Sequence, residues 1–208
     1  MAYRTLARRA VHEDEVMGSR FIAVVANVAD PDGAAELLAA ARHEHPDASH
    51  HCWAYRIGNE QRFSDDGEPG GTAGRPMLEL FLKRDLDHVA AVVVRYFGGR
   101  KLGAGGLARA YGGAVARAVQ AAGEREVVPR RHVLVRCPFA QLDTVLRTID
   151  AFADAGRGVP EFGADGVSIT LSLPEADVPT LERRLADRTR GEARCQRLGV
   201  GDEPAPPL

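Results

Sequence analysis

The chain has 208 residues, of which 45% are apolar, and its formal net charge at pH 7 is −2. This length fits one large or two small domains with an ordinary globular composition. No apolar run approaches the roughly 20 residues that a membrane-spanning helix needs, so we expect no membrane association.

Cysteine usage predicts a reducing compartment. The three cysteines are Cys52, Cys137 and Cys195, an odd number without a Cys-x-x-Cys pair. A disulfide framework or a zinc knuckle is therefore not expected, and the cytoplasm is the predicted location. The N-terminus has basic residues followed by acidic ones before any apolar stretch, which fits neither a signal peptide nor a transit peptide.

The first predicted elements are a strand, a helix and a second strand. Residues 21–28 are apolar, and Asp30 and Pro31 then supply the N-cap and the first-turn proline of a helix. Residues 50–57 form the next strand. Alternation along it defines two faces, one with His51, Trp53 and Tyr55 and the other with His50, Cys52, Ala54 and Arg56.

A long loop and a strand–turn–helix unit follow. Residues 58–76 are rich in glycine and acid and predict a loop, whereas residues 77–82 have a helical pattern. The uninterrupted apolar run 89–96 predicts a strand buried on both faces. Residues 103–122 predict a helix with Arg109 on its solvent side.

Composition shifts near residues 123–131, so we place the domain boundary there. The N-terminal domain is predicted to span 1–128, the C-terminal domain 129–200 and a flexible tail 201–208. The C-terminal pattern is β-α-β-β-α-β, which describes a ferredoxin-like domain. Its strands are predicted at 133–137, 159–162, 167–173 and 193–198, and its helices at 139–153 and 177–188.

A basic, glycine-rich turn joins the buried strand to the long helix, and residues 88–123 contain no acidic side chain. A P-loop is excluded because Lys101 precedes Leu102 rather than Ser or Thr, and a dinucleotide-binding turn lacks its acidic partner residue. Two interpretations stay open: a surface that contacts phosphates, or a tight turn with solvated arginines. The candidate phosphate-contacting residues are Arg95, Tyr96, Gly98, Gly99, Arg100, Lys101, Gly103, Gly105, Gly106 and Arg109.

An acidic loop carries Asp65, Asp66 and Glu68 within four residues. These carboxylates suit a Mg²⁺ site or acid–base chemistry, but we favour a turn built by Asp-Gly and Pro-Gly, with Thr72 capping the following helix. We predict no metal site there, and no zinc site at the nearby His50-His51-Cys52, because alternation splits that cluster between two faces. A nucleophile pair of Cys52 with a histidine is not predicted either, because no third group that would orient it can be named.

Several strings in this order resemble the IMPACT/YigZ family over the full length of its bacterial two-domain form. The matching strings are Ser19–Ala23, His50–Cys52, Ser64–Pro69, Thr72–Pro76, Val94–Gly99, Leu102–Leu107 and Ala110–Tyr111. The resemblance implies an α+β protein. Its N-terminal domain would be like the second domain of ribosomal protein S-five, and its C-terminal domain would be ferredoxin-like, as in the fifth domain of elongation factor G. It implies no catalytic residue and no cofactor.

The resemblance and the basic turn together predict a monomeric protein that binds RNA or the ribosome and is linked to regulation of translation. The first alternative is an enzyme acting on a phosphorylated or nucleotide substrate between the basic turn and the acidic loop. Its second wall would comprise His50, His51, Ser64, Asp65, Asp66, Glu68, Thr72 and Arg75. The second alternative is a protein-interaction module with a translation-associated partner.

Overall fold

The computed structural model describes residues 2–199, which form two compact α+β units, so the predicted fold class is confirmed. The first unit is Tyr3–Val127, and the second begins at Val128. The tail predicted at 201–208 lies outside the described residues. Within residues 2–199, no helix is both long and apolar enough to cross a membrane.

The N-terminal unit is built on a five-stranded antiparallel sheet with the order β2-β3-β6-β4-β5, and β1 and β7 form a separate antiparallel pair. Its strands are β1 (Tyr3–Leu6), β2 (Ala10–Val16), β3 (Ser19–Asn27), β4 (His50–Ile57), β5 (Glu60–Ser64), β6 (Val89–Tyr96) and β7 (Glu124–Val127). Its helices are α1 (Pro31–Glu44), α2 (Gly74–Lys83) and α3 (Gly103–Ala122).

Strand β6 lies at the centre of the sheet and is buried along all but its last residue, which confirms the prediction from its apolar run. One face of the sheet packs against α2 and α3, with the fully buried Phe21, Phe81 and Tyr111 in the shared core. The other face packs against α1. The alternation predicted for β4 is also confirmed, because Cys52 faces α2 and α3 while Trp53 lies on the α1 side.

The prediction of an unbroken loop over residues 58–76 is wrong. Residues Glu60–Ser64 form β5, an edge strand. It was not predicted because its sequence is mostly polar. Helix α2 also begins at Gly74, three residues before the apolar periodicity starts. Thr72 does not cap this helix, since its hydroxyl donates to the Pro69 carbonyl at 2.6 Å and the cap position belongs to Ala73.

The C-terminal unit is a ferredoxin-like antiparallel sheet in which β8 lies between β11 and β12 and the short β9 and β10 pair with the outer edge of β11. Its elements are β8 (Arg130–Cys137), α4 (Leu142–Ile149), β9 (Gly156–Arg157), β10 (Glu161–Phe162), β11 (Val167–Pro174), α5 (Val178–Thr189) and β12 (Arg194–Arg197). Both helices pack on one face of this sheet.

Two predicted elements of this unit differ from the structure. The helix predicted at 139–153 consists of a 3-10 turn, Phe139–Gln141, followed by α4, and it ends at Ile149. The strand predicted at 159–162 is divided between β9 and β10. Neither change alters the β-α-β-β-α-β order.

Candidate phosphate-binding surface

The basic turn leaves the central strand β6 and leads directly into α3. Its two cations, Arg100 and Lys101, are exposed, and so is Arg109 in the second turn of the helix. Among residues 2–199, none of these three side chains has a carboxylate within ion-pair distance. Their positive charges are therefore free to meet an anionic ligand.

The N-terminus of α3 adds unpaired backbone donors to these cations. The helix begins at Gly103 without a side-chain cap, and its first turn contains no acidic residue. The first N–H groups of a helix have no intrahelical acceptor, and the helix dipole favours negative charge beside them. At Gly105, in this first turn, the nearest atom to the place of the missing Cβ is Arg109 Nη1 at 3.5 Å, so an anion can approach the backbone beside this guanidinium. Gly106 instead allows close packing, because a Cβ atom there would lie 3.0 Å from Leu102 Cβ.

The start of the turn is held against the hairpin between β2 and β3. The Gly98 N–H donates to Ser19 Oγ at 3.1 Å, and a Cβ atom at this position would lie 1.9 Å from the Gly18 carbonyl oxygen. Gly98 is therefore needed for packing within the protein rather than for the approach of a ligand. Gly99 has a φ of +83°, which favours glycine, and a Cβ atom there would have no other atom within 4 Å.

Arg95 does not lie on the surface where we expected a phosphate contact. Its residue exposure is only 4%. Nη1 donates to Glu68 Oε1 at 2.6 Å, and Nη2 donates to Ser19 Oγ at 3.2 Å. The guanidinium also lies over the rings of Phe21 and Phe97, with its Cζ atom 5.3 and 5.4 Å from the ring centres. Its role is to fix the end of β6 to the neighbouring segments.

The two aromatic residues after Arg95 have different environments. The Tyr96 hydroxyl is 3.0 Å from His45 Nδ1, and Arg20 covers its ring, so this side chain is engaged within the protein. Phe97 is 50% exposed at the entrance to the basic turn. Arg95 also lies over the ring of Phe97, but Phe97 is the more exposed of the two rings and is the better candidate to stack on a base.

Glu68 is the centre of a buried polar cluster that joins the acidic loop to β4, β6 and α3. The Tyr111 hydroxyl donates to Glu68 Oε1 at 2.7 Å, beside the Arg95 guanidinium. The Cys52 thiol lies 3.4 Å from this hydroxyl and 3.0 Å from the Asp65 carbonyl oxygen. Burial raises the pKa of Cys52 to about 12 and also raises the pKa of Tyr111. Both groups are therefore protonated at neutral pH, and Cys52 is not an activated nucleophile.

The two aspartates of the acidic loop also bind the protein itself. Asp65 Oδ1 accepts from the N–H groups of Ala73 and Gly74, both at 2.9 Å, and Oδ2 accepts from Gly71 at 2.7 Å. Asp66 Oδ2 accepts from the His51 N–H at 2.7 Å. Asp65 therefore has the capping role predicted for Thr72, because it accepts hydrogen bonds from the first N–H groups of α2.

Of the other residues of the expected second wall, His50 and Ser64 hold the same loop in place. His50 Nδ1 is 2.8 Å from the Asp66 carbonyl oxygen, and Ser64 Oγ accepts from the Asp66 N–H at 3.2 Å. His51 Nε2 is 3.1 Å from the His45 carbonyl oxygen. Arg75 pairs with Glu79 in the next turn of α2 at 3.2 Å. The part of the chain that the structure describes contains no group of three or more His, Cys, Asp or Glu placed to hold a metal ion.

The segments that carry the family resemblance thus converge on Glu68 and on the basic turn beside it. Residues 17–119 match the Impact N-terminal domain, and residues 135–192 match a domain of unknown function, DUF1949. The chain is 37% identical over 183 residues to "IMPACT family member YigZ" of Escherichia coli strain K12, which covers 86% of this chain and 89% of that protein. The chain belongs to the IMPACT family.

Two further relatives of this IMPACT family member have similar coverage. The "IMPACT family member in pol 5'region" of Thermus thermophilus is 43% identical over 181 residues, which are 85% of this chain and 96% of that protein. A crystal structure of a hypothetical protein shares 33% identity with a TM-score of 0.66, covering 96% of this chain and 98% of that one. The relationship therefore extends over both domains.

Proposed function

We propose that this IMPACT family member binds RNA, free or within ribosomal particles, and acts in the regulation of translation. The observation that carries the proposal is the grouping of Arg100, Lys101 and Arg109 around the uncapped N-terminus of α3. Exposed arginines and lysines without carboxylate partners, together with free backbone N–H groups, are the donors that most often contact RNA phosphates. This group is called the α3 basic surface below.

The three cations determine how strongly RNA binding should depend on salt concentration. Each phosphate neutralised on a single strand contributes about −0.7 to the slope of log K against log salt, so three contacts give a slope of about −2. Phe97 supplies an exposed ring at the edge of the α3 basic surface. A stacked base on such a ring contributes about 1–3 kcal/mol with little dependence on sequence. We therefore expect weak, salt-sensitive binding with little sequence preference.

An enzymatic function is less well supported by the contacts of the acidic loop. Asp65 and Asp66 accept hydrogen bonds from backbone N–H groups, and Glu68 is buried against Arg95 and Tyr111. A carboxylate that serves as a general base has to reach the substrate, and these three are engaged within the protein. The acidic loop is joined to the end of β6, just before the basic turn, by the ion pair between Glu68 and Arg95.

Sedimentation with ribosomal particles tests the proposal. Purified protein is centrifuged with ribosomes at 50 and 300 mM KCl, and we expect a bound fraction at low salt that falls steeply at high salt. Treating the pellet with nuclease separates RNA from protein contacts. Binding that survives nuclease and salt would favour a protein-interaction module, and no binding at either salt concentration would refute the proposal.

A further inference from the structure

The sheet of the C-terminal domain has one face without a helix, and that face carries two opposed arginines. Helices α4 and α5 both pack on the other face. In the antiparallel pairing of β12 with β8, Arg194 lies directly opposite Arg136, and Arg136 in turn lies opposite Ser168 of β11. The row Ser168, Arg136 and Arg194 therefore crosses three adjacent strands on the open face.

A directly opposed pair of like charges is unfavourable in a sheet, because side chains in such pairs are only about 5 Å apart at Cβ. Neither Arg136 nor Arg194 has a carboxylate within ion-pair distance in the part of the chain that the structure describes. Four other arginines of this domain are neutralised. Carboxylate partners are found for Arg131, Arg147, Arg157 and Arg197. The opposed pair therefore retains two positive charges at one place.

These two arginines line a cavity of about 390 Å³, together with Ser168 and the turn between β10 and β11. This volume lies within the range of ligand sites, about 300–1,000 Å³. Asp165 and Glu192 also line the cavity, and Glu192 Oε2 accepts from Gln141 Nε2 at 2.8 Å. Neither acid lies within ion-pair distance of Arg136 or Arg194 among the described residues, so both guanidinium groups remain without a carboxylate partner.

A row of hydroxyl groups continues from the cavity along the open face. Ser168, Thr170 and Ser172 alternate with the buried residues of β11, so their side chains share this face. At the far end, Arg130 Nε donates to Ser172 Oγ at 3.1 Å. The row spans about 13 Å from residue 168 to residue 172, since a strand rises about 3.3 Å per residue. A strip of this length suits an extended polyanion better than a single small anion.

We infer that the open sheet face of the C-terminal domain is a second phosphodiester-binding site for RNA. Arg136 and Arg194 hold one phosphate of the RNA between their guanidinium groups, because paired donors of this kind bind phosphate oxygens. Hydroxyls of the β11 row bind the next sugar and phosphate oxygens. The inference rests on the proposed RNA-binding function, but it concerns different residues in a different domain, so the two can be tested separately.

A titration followed by nuclear magnetic resonance separates the two sites. Isotope-labelled full-length protein is titrated with a ten-nucleotide uridine oligomer, and with inorganic phosphate in a parallel sample. Shifts of the Arg136, Arg194 and Ser168 amides report the C-terminal site, and shifts of Gly99 and Gly105 report the α3 basic surface. RNA-dependent shifts at the C-terminal amides support the inference, whether or not the α3 surface also responds.

Three outcomes of this titration would overturn the inference. They are shifts confined to the α3 basic surface, shifts of the C-terminal amides with phosphate but not with RNA, and no shifts at all. As a second measurement, R136A/R194A is compared with R147A/R157A, which removes the same charge from arginines that have carboxylate partners. In 50 mM salt we expect R136A/R194A to weaken oligomer binding roughly fivefold to tenfold, as for one lost phosphate contact, and R147A/R157A to change it less than twofold.

Discussion

The Arg95 guanidinium donates through Nη1 to Glu68 Oε1 at 2.6 Å, and both residues are buried, with exposures of 4% and 8%. This ion pair joins the penultimate residue of β6 to the acidic loop, 27 positions earlier in the chain. Tyr111 of α3 donates to the same oxygen. One carboxylate thus connects the acidic loop to β6 and to α3, the two elements on either side of the basic turn.

Removing either partner of this pair should strongly destabilise the domain. Glu68→Ala leaves a buried guanidinium without its counter-charge, and Arg95→Ala leaves a buried carboxylate, so each should cost about 3–5 kcal/mol of the free energy of unfolding. Urea denaturation measures both. The exposed Arg75–Glu79 pair is the matched control, because Glu79→Ala should cost at most about 0.5 kcal/mol. Equal losses for the buried and the exposed pair would contradict this prediction.

Gly98 should not tolerate a side chain. A Cβ atom there would lie 1.9 Å from the Gly18 carbonyl oxygen, a backbone atom that cannot move independently. Gly98→Ala should therefore cost more than about 3 kcal/mol, well above the ordinary effect of a single substitution. Gly70→Ala is the control, since nothing lies within 4 Å of its Cβ position. Thermal unfolding of the two variants checks the difference, and a Gly98→Ala protein as stable as Gly70→Ala would refute the close approach.

Asp65 should protect the backbone N–H groups that begin α2. It accepts hydrogen bonds from Gly71, Ala73 and Gly74. In Asp65→Ala these donors lose their acceptor, so hydrogen exchange at the three amides should accelerate at least tenfold, as expected when charge-assisted bonds of about 1.5–3 kcal/mol are lost. Thr72→Val is the comparison, because its hydroxyl donates only to the Pro69 carbonyl. Faster exchange of the same three amides in Thr72→Val but not in Asp65→Ala would reverse the assignment.

Stability should fall at alkaline pH partly because of Cys52. Burial raises the pKa of its thiol from 9.0 to about 12. Below pH 9 the thiol is protonated in both states, and as pH rises from 9 to 12 the unfolded chain releases a proton that the folded chain keeps. The free energy of unfolding should then decrease by up to about 1.4 kcal/mol per pH unit for this group. Cys52→Ser should show a shallower slope between pH 9 and 11 in urea titrations, and an unchanged slope would show that Cys52 contributes nothing.

Local sequence patterns predicted the elements that depend on them. The apolar run of β6 and the alternation of β4 both have their expected burial, because side-chain direction in a strand follows from position alone. Strand β2, with the sequence Ala-Val-His-Glu-Asp-Glu-Val, was not predicted because its residues are charged and only partly buried. Its partner β3 supplies the hydrogen bonds that define it, and this pairing is not visible in local composition.

In the candidate site, the sequence predicted the exposed cations correctly but not the buried one. Arg100, Lys101 and Arg109 are exposed, as expected for cations in a turn and on the solvent side of a helix. Arg95 was expected among them, but its burial depends on Glu68, which is distant in sequence and contacts it only in the folded chain. A cation at the end of a fully apolar strand is the signal that could have indicated a buried partner.

The most direct test of the proposed function is the salt dependence of RNA binding. Fluorescence anisotropy with a labelled uridine oligomer gives log K against log KCl for the wild type, for R100A/K101A and for R147A/R157A. For the α3 basic surface, R100A/K101A should reduce the steepness of the slope by about 1.4, equivalent to two phosphate contacts, while R147A/R157A should leave it unchanged. A wild-type protein that binds no RNA, or equal slopes in all three proteins, would contradict a phosphate-binding role for the α3 basic surface.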